Sequence, residues 1–497
     1  MAEDLLPLKA SGELYLEGQW RMGSGAMMTS LDPVYQTKLW TGKSANDQDL
    51  EQAMVCAHQA QPLWAATPLN ARMEILTRYQ SLLKAHLPTL IHALSEETGK
   101  PLWEAQTEVQ GAIQKLEPSL DAYHTRTGSK SIATSFGKAH LDHRPIGVLG
   151  LLGPFNFPLH IPNAQMIPAL IAGNAVLFKP SEHTPRMGEL LVRLMLDAGL
   201  PPGVLSLIQG NGSIGAALAQ HPGLNGLFFT GSYQTGISLH QAFAGHPEKL
   251  LVLEMGGNNP IIAWDTDQAQ AAAYHIVQSA FLSAGQRCIC ARRLILPSNT
   301  QGDQILNAVL HQASGLRIAA YDAKPQPFMG SLISHEASKT LLHRQSQLQQ
   351  AGGKSLLTLK PLQSNTGLVT PGIIEVTAIP HREDLEIFGP LLQIIRVKTF
   401  EAAILEANAT RYGLAASIFT DTREKFLTFD RASRAGVVNW NRPTTGAIPQ
   451  FPFGGVGKSG NFRPSGYYSA DACAYPVSHM EAEAIALPTE LAPGVVL

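Results

Sequence analysis

The chain has 497 residues, with 37 Lys and Arg against 39 Asp and Glu, a net charge of −2. That balance excludes a nucleic-acid-binding stripe or an acidic tail, because holding phosphates needs concentrated positive charge. The four cysteines, Cys56, Cys288, Cys290 and Cys473, are too few to staple a chain this long, while 44% apolar residues, 44 Gly and 33 Pro suit a large core cut by many turns.

At the start, Glu3 and Asp4 stand where a secretory leader needs positive charge followed by an apolar run. Residues 47–124 place apolar side chains mostly at helical spacing. Residues 125–143 are polar and rich in Ser and Thr, and they predict an extended hairpin leaving the body. From Pro145 to Phe178, 34 residues pass without Asp, Glu, Lys or Arg, long enough to cross a bilayer. Five prolines and Asn156, Asn163 and Asn174 break that stretch too often for a spanning helix. It reads instead as strand, loop and core helix, in a soluble cytoplasmic protein.

Short apolar runs follow at 146–152, 175–178, 204–208, 226–229 and 250–253. Helix-length segments separate them at 162–172, 187–198, 213–221 and 234–243. Pro162 suits a helix start, and Gly173 a stop. The alternation predicts βαβ units and a doubly wound parallel sheet. A second alternation begins after residue 255, with strands at 260–263, 372–376, 391–397 and 415–419 and a helix at 271–284. The expected fold class is therefore α/β. A Rossmann-like domain comes from residues 1–124 and 145–254, and a second α/β domain from 255–450. Residues 125–144 and 451–497 form a β-hairpin arm and a C-terminal segment.

Several motifs fall at strand ends. Gly210-Asn211-Gly212-Ser213-Ile214-Gly215 matches GxGxxG, but no acidic residue lies between Gly215 and His246 to complete a dinucleotide fingerprint. It is either a nucleotide loop or a turn that needs glycines. A second turn, with Gly231, Ser232 and Gly236, would aim N–H groups and a hydroxyl at an anion. Lys179, Ser181 and Glu182 end a third strand, as a ribose clamp or as an ordinary ion pair. Cys288 follows Gly285-Gln286-Arg287, a setting for a nucleophile beside a cation or for a packed thiol. Glu254, before Gly256 and Gly257, fits a general base or an interdomain ion pair. Asn156 fits an oxyanion donor or a turn residue. No metal site is expected. Cys288 and Cys290 supply only two thiolates, and the pair His140 and His143 lacks a third ligand.

Together these residues resemble the NAD(P)-dependent aldehyde dehydrogenase superfamily. PFNFP, FKPSE, FTGS, LEMGG, GQRC, EIFGP and PFGG occur in that order between about residues 145 and 460. The resemblance implies Cys288 as nucleophile, Glu254 as general base and Asn156 as oxyanion donor. It implies that NAD, favoured over NADP by a carboxylate at Glu182, contacts Lys179, Ser181, Glu182, Gly231, Ser232, Gly236, Glu386 and Phe388. It also implies a homodimer or higher oligomer built through the hairpin and a strand near 472–475. The superfamily often carries an acidic residue after Arg in the segment resembling 460–466, where this chain has Arg463-Pro464. Glu254 is thus expected to act without a second carboxylate.

A narrower resemblance is to members that oxidise an N-succinylated amino-acid semialdehyde in bacterial arginine degradation. It rests on AYHTRTG, LEMGGNNP, GQRCICARR, NWNRPTTGA and GNFRPSGYYSADACAYP. Such a substrate carries two carboxylates, and Arg287, Arg442 and Arg463 are the expected anchors or else surface charges. Oxidation of an apolar or cationic aldehyde, or a catalytically silent binding protein, are the alternatives.

Overall fold

A computed structural model describes residues 8–135, 137–488 and 490–496; Glu3 and Asp4 lie outside these described residues. Two seven-stranded sheets form its centre. In the first, Leu250–Met255, Gly226–Gly231, Val148–Leu152, Ala175–Lys179 and Leu205–Leu207 run parallel, in that order across the sheet. Leu14–Leu16 and Gln19–Arg21 add an antiparallel edge. Val148–Leu152 and Ala175–Lys179 are buried at every position, as strands covered by helices on both faces must be. Strand order reverses between Val148–Leu152 and Gly226–Gly231, opening the crevice where such sheets take ligands.

The second sheet runs Lys354–Leu357, Gly372–Glu375, Leu391–Val397, Ala291–Pro297, Asn259–Ala263, Ala415–Phe419 and Val437–Trp440. All but the first strand are parallel. Its central strand Ala291–Pro297 has no counterpart among the sequence expectations, because Arg292 and Arg293 interrupt the apolar run. Both arginines are buried, and most of their donors go to backbone carbonyls. The helix expected over 271–284 occupies Ala269–Phe281.

The third sheet joins Ala474–Glu481, Gly137–Pro145 and Lys130–Thr134, all antiparallel. The hairpin starts later than its polar composition suggests, because helix Leu116–Thr127 continues through residue 127. His140 contacts Glu481 at 2.8 Å and stacks on His479, whereas His143 contacts the Gly128 carbonyl at 3.2 Å. The His140 and His143 pair is therefore split. Residues 145–178 form strand, loop, helix and strand, and no helix among the described residues is long and apolar enough to cross a membrane.

Candidate active site

Two cavities meet at Cys288, Glu254 and Thr230. The larger, about 770 Å³, lies at the strand-order reversal of the first sheet. Lys179, Ser181, Glu182, Gly231, Ser232, Glu386 and Phe388 line it with Asn156. Gly236 lies just behind, where an added Cβ would stand 2.3 Å from Met255 Sδ. The smaller, about 340 Å³, is walled by Glu104, Lys115, His160, Arg287 and apolar side chains including Ile161, Ile448 and Phe453.

Lys179 is buried and donates to the Pro180 and Gly210 carbonyls at 2.9 and 2.8 Å. Glu182 stands 3.9 Å from it. Burial, only partly offset by Glu182, lowers the lysine to about 8. Ser232 caps helix Tyr233–Phe243 by accepting from Thr235 N–H, so the free end of that helix faces the larger cavity. The Gly210–Gly215 motif opens helix Gly212–Gln220, with Gly212 and Gly215 on the same cavity.

The segment before Cys288 is unusual. Ser283, Ala284 and Gly285 all have positive φ, at 54°, 51° and 68°. Gly285 is required there, since a Cβ would stand 2.2 Å from the Gly389 carbonyl oxygen. Left-handed Ser and Ala persist only when their surroundings fix them. Buried Glu104 accepts from Ser283 N–H and Oγ and from Arg287 Nη2. Arg292 donates to the carbonyls of Gly285 and Arg287 at 2.6 and 3.0 Å. Asn259 Nδ2 donates to the Cys288 and Cys290 carbonyls at 2.7 and 2.8 Å, which closes the loop.

Asn156 Nδ2 donates to the Gln286 carbonyl at 2.9 Å, which brings its amide beside the same loop. Its own carbonyl accepts from Lys100, which is paired with buried Glu108. Burial raises the Cys288 thiol, and the charges of Glu254 and Glu386 raise it further.

Glu254 is the penultimate residue of strand Leu250–Met255, an outer strand of the first sheet. Its far side is closed by the C-terminal segment. Asn461 pairs with the Leu253 N–H and the Leu251 carbonyl, Gly460 bridges Glu254, and Ser465 N–H reaches its carboxylate at 3.4 Å. Burial pushes Glu254 up to about 8, and only Ser465 pulls against it. Pro464 supplies no carboxylate there.

Glu386 is raised by burial, against the pull of Arg292 at 3.5 Å. Phe388 meets Phe155 edge to face. The three nominated arginines do not converge. Arg287 reaches the smaller cavity already matched by Glu104 at 2.6 Å. Arg442 and Arg463 are exposed and line neither cavity. The sequence reading missed Glu104, Asn259, Arg292 and the Lys100–Glu108 pair.

Comparison with known proteins adds an independent finding. The profile of the aldehyde dehydrogenase family matches residues 20–477. An N-succinylglutamate 5-semialdehyde dehydrogenase of Ectopseudomonas mendocina (strain ymp) is 51% identical over 483 residues, covering 97% of this chain and 99% of that protein. The structure of an NADP-dependent glyceraldehyde-3-phosphate dehydrogenase from Bacillus halodurans, complexed with NADP, superposes with TM-score 0.89. It is 26% identical, and the match covers 96% of this chain and 100% of that one. A Thermus 1-pyrroline-5-carboxylate dehydrogenase with bound NAD gives TM-score 0.88 at 28% identity, covering 94% and 92%.

Proposed function

The chain belongs to the aldehyde dehydrogenase family, and from that premise we propose that it oxidises N-succinyl-L-glutamate 5-semialdehyde to N-succinyl-L-glutamate with NAD, in bacterial arginine degradation. The observation that carries the chemistry is the placement of Cys288 and Glu254 where a dinucleotide-sized cavity meets a smaller one. The relative at 51% identity carries the substrate assignment. The larger cavity suits NAD. It offers an open helix end at Ser232 for the pyrophosphate, and Lys179 with Glu182, 3.9 Å apart, for ribose hydroxyls. When bound there, NAD supplies the hydride acceptor.

The chain's own residues supply the rest. Cys288 Sγ attacks the aldehyde carbon, and the new oxyanion sits between the Asn156 amide and the Cys288 backbone N–H. Departure of the aldehydic hydrogen as hydride, with its bonding electron pair, leaves a thioester on Cys288. Glu254 takes a proton from water, the water oxygen bonds to the thioester carbon, and the thiolate leaves with the carboxylic acid formed. Ser181, Gly231, Gly236, Glu386 and Phe388 shape the dinucleotide side.

We also propose the three-part division at 1–124 with 145–254, 255–450, and 125–144 with 451–497. Each sheet falls within one part to within a single residue, which supports it. The exposed strand Lys130–Thr134 is an open sheet edge suited to a homodimer or larger assembly. Four unpaired thiols suit the cytoplasm.

NADH formation from N-succinylglutamate semialdehyde, compared by kcat/KM with hexanal and a cationic aminoaldehyde, tests the substrate. The dicarboxylate should be preferred, and a better kcat/KM for hexanal would overturn the assignment. Arg442→Ala and Arg463→Ala should leave the KM for the dicarboxylate within twofold of wild type, because neither side chain reaches a cavity.

A further inference from the structure

The smaller cavity holds one cation that no described residue neutralises. It is walled by helix Leu102–Ile113, by the turn at Gln114 and Lys115 that leads into helix Leu116–Thr127, by helix His160–Ala172 and by residues within 445–453. Two of its lining side chains are lysine or arginine, Arg287 and Lys115. Arg287 is spent on Glu104, and Lys100 behind the wall is spent on Glu108. Lys115, only 9% exposed, joins the two helices through its backbone. Its ammonium has no salt bridge or hydrogen bond to any described residue.

The neighbouring imidazole does not share that charge. Burial drives His160 down to about 3, and the nearby Lys115, Lys100 and Arg287 add to the effect. It is therefore neutral, with a buried Nδ1 that has no partner. Lys115, lowered by burial to about 8, still carries its proton at neutral pH. Glu254 also lines the cavity, but burial raises it to about 8 and keeps it protonated at neutral pH, so two carboxylates, Glu104 and Glu108, face three cations, Lys100, Arg287 and Lys115, leaving one positive charge over. A buried cation without a counter-ion is costly, and an anion arriving with the substrate would repay that cost.

We propose that Lys115 is the specificity-determining residue of this site and receives one carboxylate of the substrate while the aldehyde lies at Cys288. The assignment rests on the reading that the substrate is dicarboxylic. It replaces Arg442 and Arg463 with a residue that lines the reacting cavity. Gln165, on the same wall with an unpartnered Oε1, leaves the positive charge to the lysine.

Lys115→Met and Lys115→Gln, assayed against N-succinylglutamate semialdehyde and hexanal, test the proposal. Both variants should lose roughly 10²- to 10³-fold in kcat/KM for the dicarboxylate, mostly through KM, in line with a lost charge-assisted contact. Oxidation of hexanal should stay within about threefold of wild type, which also reports that the site has folded. N-succinylglutamate as a competitive inhibitor should weaken in parallel, and Lys115→Arg should recover part of both losses. A wild-type preference for the dicarboxylate that survives in Lys115→Met or Lys115→Gln removes the lysine assignment alone. A wild-type enzyme that prefers hexanal removes the substrate reading, and the assignment with it.

Discussion

Glu254→Gln is expected to complete one oxidation and then stall. The thioester on Cys288 forms without the glutamate, so rapid mixing should show an NADH burst close to the enzyme concentration. Steady-state turnover should fall roughly 10²- to 10⁴-fold, the usual worth of a positioned base. In the wild type, the base works only when ionised, and burial holds it up to about 8. Steady-state turnover should therefore rise with pH through that region, and the glutamine variant should lack the rise. Stability runs the opposite way. A carboxyl moved from 4.5 to about 8 contributes stability that is complete below 4.5 and lost as pH rises through 8. The shift corresponds to at most roughly 5 kcal/mol. Glu254→Gln should accordingly melt at a higher temperature than wild type at pH 9, with the gap closing near pH 4. A variant with full steady-state turnover would remove Glu254 from the mechanism.

Glu104→Ala should damage the enzyme without touching substrate. Burial alone would raise this carboxyl, but Arg287 and Lys100 overcome it and hold the group below its ordinary value. Its oxygens take the Ser283 N–H and hydroxyl and the Arg287 guanidinium, the contacts that hold two non-glycine residues left-handed. Breaking a buried pair from one side costs about 3–5 kcal/mol, because the abandoned charge stays desolvated. The expected result is an unfolding free energy lowered by that amount, read from denaturant titration. Alkylation of Cys288 by iodoacetamide should slow as the loop relaxes, whereas a merely structural role would leave that rate unchanged in the folded fraction. Glu104→Gln keeps one acceptor and should fall between the two. Wild-type stability together with a wild-type alkylation rate in Glu104→Ala would show that the turn holds itself.

Most of the parallel sheets could be read from apolar runs, because strands covered on both faces carry that signal continuously. Ala415–Phe419 and Leu391–Val397 stand at their expected bounds. Leu14–Leu16 and Gln19–Arg21 are too short to show a period, and Ala291–Pro297 hides behind its two arginines. The site divides in the same way. Cys288, Glu254 and Asn156 belong to short contiguous motifs, and the fold brings all three to one cavity. Glu104 and Glu108 lie on an early helix, and Lys100 and Lys115 in the turns on either side of it, with charges at ordinary surface spacing. Glu104 meets Ser283 across 179 residues, a pairing that local sequence does not encode. Arg287 looked free for substrate because its partner was equally distant.

The closure over Glu254 has a consequence for biosynthesis. Strand Leu250–Met255 is complete once residue 255 has been made, but Gly460, Asn461 and Ser465, which cover its outer side, come more than two hundred residues later. In a half-made chain that cover is missing, so the burial that raises the carboxylate is incomplete. The base acquires its working proton affinity only when the last tenth of the polypeptide emerges and docks. A chain ending before residue 460 should therefore lack the contacts that close over this base.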